Sequence, residues 1–167
     1  MRLSGKVAIV TGGGSGFGEG IAKRFAAEGA AVVIGDLNLA AAEKVAGEIN
    51  KAGQKALPVA ADVSQNGQMK TLVEKAVEAF GGLDIMVNNA GMPQRNASLL
   101  NTDEATFDKI FAVNVKSIYL SAQHAIPEMR KRGGGCFINI ASTAGVRPRP
   151  GLVWYNGSKG AVITLTR

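Results

Sequence analysis

Cysteine, histidine and aromatic residues are scarce in this chain. The one cysteine, Cys136, lies within an apolar run and has no partner for an internal disulfide. A reducing compartment and a buried free thiol are therefore expected. The one histidine, His124, falls in the middle of a helical pattern, where a structural role is expected rather than service as the base of a catalytic cysteine. No metal site is expected. Aromatic residues make up only 5% of the sequence, and no basic face with interleaved rings is visible, which argues against a nucleic-acid surface. No apolar run approaches the roughly 18 residues a membrane span requires. The first apolar stretch begins at Val7 and is only strand-long, so no signal peptide is expected and the protein is read as cytoplasmic, without a membrane partner. The formal charge of +6 is dispersed, and its one dense run, Arg130-Lys131-Arg132, reads as a solvated helix end where cations complement the dipole.

Apolar residues and glycine are abundant: 46% of the 167 residues are apolar, enough for one domain with a substantial core, and 22 are glycine. Val7 to Val10 is a short apolar run followed at once by Thr11-Gly12-Gly13-Gly14-Ser15-Gly16-Phe17-Gly18. Ile21, Ala22 and Phe25 then repeat at helical spacing up to Gly29. Ala31 to Gly35 reads as a second strand ending at Asp36, and Asn38 as the cap of a helix with the stripe Ala42, Val45, Ala46, Ile49. Ala56 to Ala60 reads as a third strand, placed at an edge by Pro58. Ser64 is expected to cap the helix carrying Met69, Leu72, Val73, Ala76, Val77 and Phe80. Ile85 to Val87 reads as a fourth strand. One long helix is expected to open at Thr102 and end at Arg132, and Cys136 to Ala141 to form a fifth strand before a helix at Tyr155. Strands that are apolar throughout and alternate with helices predict a doubly wound parallel α/β domain of three α/β/α layers.

A glycine-rich turn between a first strand and first helix aims backbone N–H groups at an anion. Its spacing is T-G-x-x-x-G-x-G rather than G-x-G-x-x-G, and five glycines in one turn cost enough backbone entropy to need a reason. Asp36, about 20 residues further on, can accept from a ribose diol and would repel a 2′-phosphate. Neither Ser15 nor Leu37 offers a compensating cation, which favours NAD over NADP. Asp62 and Val63 fall where they could meet an adenine ring, although a turn aspartate is the simpler reading. Asn114 interrupts the apolar stripe of Phe107, Ile110, Phe111 and Ile118, where a buried amide needs hydrogen-bond partners. A purely structural network remains open for it. Tyr155 and Lys159 share one helical face, and a nearby cation favours a phenolate, so the pair could move a proton to or from an alcohol oxygen.

These motifs together resemble the short-chain dehydrogenase/reductase superfamily. Thr11 to Gly18, Asn88-Asn89-Ala90-Gly91 and Tyr155-x-x-x-Lys159 match its three signatures in order, with Ser142 and Asn114 at its serine and asparagine positions. The resemblance covers the whole chain, closest in look to 3-oxoacyl-carrier-protein reductase-like and glucose or alcohol dehydrogenase-like members. It implies an oxidoreductase passing hydride between NAD and a secondary alcohol or ketone. Tyr155 would be the acid/base, Lys159 would lower the tyrosine pKa and bind the nicotinamide ribose, Ser142 would polarise the carbonyl, and Asn114 would hold a relay water. Cofactor contacts are implied for Gly12, Ser15, Gly16, Phe17, Gly18, Asp36, Leu37, Asp62, Val63, Asn89, Ala90, Gly91, Tyr155 and Lys159. Met92 to Arg95 and the Val146 to Trp154 loop, with Trp154 as an apolar wall, are expected to line the substrate pocket. Arg95, Arg147 and Arg149 could meet an anionic substrate, though solvated loop arginines are the simpler reading. Two alternatives stand beside this: an NADPH-dependent 3-oxoacyl-carrier-protein reductase, against which Asp36 speaks, and a non-catalytic dinucleotide-binding regulator, against which the intact serine, tyrosine and lysine speak. Family members commonly form homodimers or homotetramers, and they usually add a sixth strand, a substrate lid and a seventh strand beyond the Tyr/Lys helix. The chain is accordingly read as one NAD-binding domain over residues 1–167, with those elements absent and the Cys136 to Ala141 strand expected as an exposed edge.

Overall fold

The computed structural model describes residues 1–166. Five strands form one parallel sheet: β1 (Val7–Thr11), β2 (Ala31–Asp36), β3 (Lys55–Ala60), β4 (Ile85–Asn88) and β5 (Cys136–Asn139), in the order β3-β2-β1-β4-β5. Between and after them run α1 (Gly16–Ala27), α2 (Leu39–Lys51), α3 (Asn66–Phe80), α4 (Glu104–Phe111), α5 (Ser117–Lys131) and α6 (Val153–Leu165). The strand order reverses at β1, so the carboxyl ends of β1 and β4 flank the crevice in which open α/β sheets bind their ligands.

Alternation along the strands divides the core in two. Val7, Ile9, Val33 and Met86 pack with Met69, Leu72, Val73 and Ala76 of α3 and with Leu120 and Ala125 of α5. Ala8, Val10, Val32, Ile34 and Val87 face the other way, onto Ala22 and Ala26 of α1 and the Ala42, Val45, Ala46, Ile49 stripe of α2. Successive strand side chains point to opposite faces, so an all-apolar strand needs helices on both. The doubly wound expectation holds, and Pro58 lies in an edge strand, paired only with β2.

Several local expectations are corrected. Asn38 caps α2 by accepting from the Ala41 N–H, as its sequence position suggests. Ser64 does not cap α3; its N–H and hydroxyl both donate to Asp62 Oδ1, closing a tight Asx turn. The helix expected from Thr102 starts one residue later, with Asp103 Oδ1 accepting from the Thr106 N–H. It is also not continuous: Ala112–Lys116 is a π-helical turn between α4 and α5, with Asn114 inside it. Arg132 is not a freely solvated end. Its Nη2 lies 3.1 Å from Asp84 Oδ2 and its Nε donates to Asp84 Oδ1 at 3.1 Å. Cys136 is exposed rather than buried among the described residues, where β5 is the outermost strand and presents Cys136 and Ile138 outward. His124 is structural as expected, pairing through Nε2 with Asn66 Oδ1 at 2.8 Å and joining α5 to the start of α3.

Candidate active site

Four segments converge on the carboxyl ends of β1, β2, β4 and β5. The first is the glycine turn. Gly12 and Gly16 have φ of +62° and +56°, in the left-handed region that only glycine enters without strain. Gly18 is buried, and a Cβ there would overlap the Gly12 carbonyl oxygen and crowd Asn89 Nδ2. The turn thus presses the first turn of α1 directly on the end of β1. Among the described residues, the N–H groups of Gly16, Phe17 and Gly18 make no hydrogen bond, leaving open donors at a helix N-terminus. Ser15 occupies the N-cap position without a side-chain cap bond, and the Phe17 side chain is 85% exposed beside those donors.

The second segment is the end of β4. Asn89 points away from the crevice and fastens the turn: Nδ2 donates to Thr11 O at 2.8 Å and to Gly12 O at 3.1 Å. Thr11 Oγ1 accepts from the N–H groups of Asn89 and Ala90, both at 3.1 Å, and donates to Val87 O. The Asn89 side chain thus braces the glycine turn.

A cavity of about 280 Å³ lies between these two segments. Gly12, Asp36, Leu37, Asp62, Val63, Ala90 and Gly91 line it, so the structure gathers these seven sequence-predicted residues in one place. Lys109 and Val113, from α4 and the π-helical turn, line it as well. Sequence reading passed over both, since a lysine and a valine in a helix carry no signal of what they face. Asp36 is rigidly held: Oδ2 accepts from the Gly14 N–H and Oδ1 from the Asn38 N–H, both at 2.9 Å. Each oxygen retains a lone pair for a further donor. Asp62 serves its own turn through Ser64, and Leu37 is an exposed rim residue.

The third segment is the π-helical turn. Asn114 is buried and fully engaged: Oδ1 accepts from the Met92 N–H at 2.7 Å, while Nδ2 donates to Met92 O at 3.1 Å and to Ser158 Oγ at 2.9 Å. Ser158 Oγ donates in turn to the Tyr155 carbonyl at 2.8 Å. The Asn114 side chain thus ties the β4 loop to α6 in one hydrogen-bond network. A single π turn commonly marks a functional position, and here it aims the amide at both the β4 loop and α6.

The fourth segment is α6 with the loop before it. Lys159 is 5% exposed, and its Nζ donates to Ile140 O at 2.7 Å while lying 6.0 Å from the centroid of the Tyr155 ring. Burial pushes the Lys159 ammonium below its ordinary pKa. A Cβ on Gly91 would stand 3.7 Å from Lys159 Nζ and 3.6 Å from Asn114 Oδ1, which shows how closely β4, the π-helical turn and α6 meet. Tyr155 is half-buried. Ser142 Oγ accepts from the Ala144 N–H at 3.1 Å, leaving its own O–H free to donate. Trp154 is half-buried. It packs edge-on against Phe107, centroids 5.1 Å apart, because α4 and α6 lie side by side.

The residues present suit a dinucleotide: open N–H donors at the start of α1 for a diphosphate, a fixed carboxylate for a diol, and small residues at Ala90 and Gly91 for close approach. The fold and site define a nucleotide-binding, Rossmann-like domain. A sequence profile described as short chain dehydrogenase matches residues 6–167. The 4-formylbenzenesulfonate dehydrogenase TsaC1/TsaC2 of Comamonas testosteroni is 50% identical over 167 residues, covering 100% of this chain and 66% of that protein. The 2,5-dichloro-2,5-cyclohexadiene-1,4-diol dehydrogenase LinX of Sphingobium indicum is 44% identical over 166 residues, covering 99% of this chain and 66% of that protein. The crystal structure of 3-ketoacyl-(acyl-carrier-protein) reductase from Brucella melitensis complexed with NADH superimposes with a TM-score of 0.93 at 48% identity, covering 98% of this chain and 68% of that one. The chain belongs to the short-chain dehydrogenase family, and it spans 66% of the length of the first two curated relatives.

Proposed function

We propose that the protein is an NAD-dependent oxidoreductase of secondary alcohols or their ketones, with Tyr155 as the acid/base. The observation that carries this reading is the buried ammonium of Lys159 on α6, held by Ile140 O at 6.0 Å from the centroid of the Tyr155 ring and beside Gly91 at the end of β4. A bound nicotinamide would supply hydride exchange. The chain's own residues do the rest. Tyr155 passes a proton to or from the substrate oxygen while Lys159, fixed by Ile140 O, keeps a positive charge beneath the ring. Ser142 turns its free O–H towards the same oxygen. Asn114 and Ser158 hold the backbone of Tyr155 and Met92, so the phenol and the β4 loop keep their spacing.

Gly12, Gly16 and Gly18 bring the start of α1 to the diphosphate, with Ser15 and Phe17 at its rim. Asp36 accepts from the adenosine ribose, which supports NAD as the preferred cofactor. Leu37, Asp62, Val63, Ala90 and Gly91 enclose the adenosine end. The relative crystallised with NADH supports a nicotinamide dinucleotide in this crevice.

Following NADH absorbance with the full chain tests the reading. The panel is cyclohexanol, cyclohexane-1,2-diol and glucose with NAD or NADP, ethyl 3-oxobutanoate with NADH or NADPH, and 4-formylbenzenesulfonate with NAD or NADP, the two cofactors compared side by side. The last compound enters because of the name of the 50% identical relative. Turnover with NAD on at least one is expected, and silence across the panel would count against an alcohol or ketone oxidoreductase.

The same reading places the protein in the cytoplasm as a homodimer or homotetramer. No helix among the described residues is long and apolar enough to cross a membrane. Tyr119 and Ile126 on α5 and Val153 on α6 expose apolar surface that a second copy would cover. Analytical ultracentrifugation that found only monomer would remove the assembly.

A further inference from the structure

The first turn of α6 has an irregular start. Leu152 occupies its N-cap position and offers no side-chain oxygen to the first N–H groups of the helix. The Tyr155 N–H is the third of these, the group that a capping serine or aspartate ordinarily satisfies. In this fold the acceptor comes from 61 residues away: the Tyr155 N–H donates to Gln94 Oε1 at 3.0 Å. The same amide donates through Nε2 to Thr102 Oγ1 at 3.2 Å, just before α4. Gln94 therefore spans from the loop after β4 to the starts of both α4 and α6.

Neighbouring contacts run the same way. Asn96 Nδ2 donates to Pro150 O at 3.2 Å, and the Ala97 N–H to Gly151 O at 3.1 Å. Gly151 has φ +75°, and a Cβ there would overlap Asn96. The loop after β4 and the loop before α6 are thus stitched to each other. Trp154, beside Tyr155, is anchored on Phe107.

We infer that Gln94 is a positioning residue for Tyr155, acting as a long-range cap that fixes the first turn of α6 relative to the β4 loop and so sets where the phenol stands over the crevice. This rests on the acid/base role proposed above for Tyr155. The phenol oxygen is several bonds from the backbone, so a small tilt of that turn is magnified at its tip, and a misplacement of about 1 Å can cost on the order of a hundredfold in rate.

The test pairs Gln94→Met, which keeps the length and removes both polar atoms, with Gln94→Glu, which keeps the acceptor for the Tyr155 N–H. In the full chain, with the best substrate of the panel above, Gln94→Met is expected to lower kcat by about tenfold or more. The dissociation constant for NADH, read by fluorescence, stays unchanged, and Gln94→Glu recovers most of kcat. Amide hydrogen exchange at Tyr155 should quicken in Gln94→Met and not in Gln94→Glu, a readout that needs no substrate. Should Gln94→Met fail to fold, Thr102→Val removes only the far end of the bridge and is expected to lower kcat by a smaller factor and to quicken Tyr155 exchange. Unchanged kcat in the folded variant, an equal loss in both Gln94 variants, or Tyr155 exchange unmoved would each overturn the inference. An inactive wild type with Gln94-dependent exchange would instead sink the catalytic reading of Tyr155 and leave the cap standing.

Discussion

Lys159 Nζ donates a 2.7 Å hydrogen bond to the carbonyl oxygen of Ile140, tying the middle of α6 to the residue just beyond β5. The bond gives a buried ammonium one fixed direction, under the ring of Tyr155 and beside Gly91. A lysine left flexible could not hold its charge at one place in the crevice, and here the strand end does that.

Removing the phenol should separate binding from chemistry. Tyr155→Phe keeps the ring and is expected to leave the NADH dissociation constant within about twofold while turnover falls by roughly 10²–10⁴, the usual worth of general acid–base catalysis. Stopped-flow kinetics and fluorescence titration on the same preparation check both halves. Retention of most of the activity would remove Tyr155 from the role.

Cofactor choice should follow Asp36. The wild type is expected to prefer NAD, and Asp36→Ala to narrow the ratio of kcat/KM for NAD over NADP by about tenfold or more, the scale of one or two hydrogen bonds to a charged group. Because Asp36 Oδ2 also accepts from Gly14, a small drop in melting temperature should accompany the change. An NADP preference in the wild type would refute the assignment.

Gly18→Ala should be disproportionately harmful. The added methyl would press into Gly12 O and Asn89 Nδ2, atoms of the brace that shapes the turn. Overpacking of this kind costs about 1–3 kcal/mol. Chemical denaturation would show that loss, and NADH affinity should weaken with it. The same substitution at Gly20, whose added Cβ meets nothing within 4 Å, serves as the control and should be near neutral.

Asp84 should give the fold an acid-sensitive element away from the crevice. Burial by itself would raise its pKa, but the Arg132 hydrogen bond, the Val7 N–H at 2.8 Å and the Lys6 charge outweigh it and hold the carboxyl below its ordinary value. A depressed carboxylate stabilises the fold fully above the unfolded value of about 3.9 and loses that contribution as pH falls through the lower folded value. Asp84→Asn should lose about 2–3 kcal/mol at pH 7 and flatten the acid limb of stability against pH, measured by denaturant unfolding from pH 2 to 7. Equal slopes for the two proteins would rule it out.

Much of the architecture is a local property of the chain. Runs such as Val7 to Val10 and Ala31 to Gly35 are too short for helices and too apolar for a half-exposed sheet, so they can only be buried strands. The stripe Ala42, Val45, Ala46, Ile49 can only be one face of a helix. The glycines of the first turn are there because Gly12 and Gly16 need positive φ and Gly18 needs to lack a side chain, requirements that only one residue type meets. The i, i+4 spacing likewise puts Tyr155 and Lys159 on one face of any helix that holds them.

What the sequence left open depends on contacts between distant residues. The bracing of the glycine turn by Asn89 is invisible in the sequence, because Thr11 and Gly12 lie 78 and 77 positions away. The Thr102 helix reads as continuous, since no residue type announces a π turn; Asn114 reveals it by meeting Met92 and Ser158. Cys136 reads as buried from its apolar neighbours, but burial of a strand depends on what lies beside it, and β5 is outermost. Trp154 meets Phe107 and Lys109 lines the cavity for the same reason: α4 lies against α6 on one side and that cavity on the other. Side-chain type and short-range periodicity therefore determined the layers, the turn and the chemistry of the Tyr/Lys pair. Tertiary packing decided which polar groups were already occupied, and so which were left free to meet a ligand.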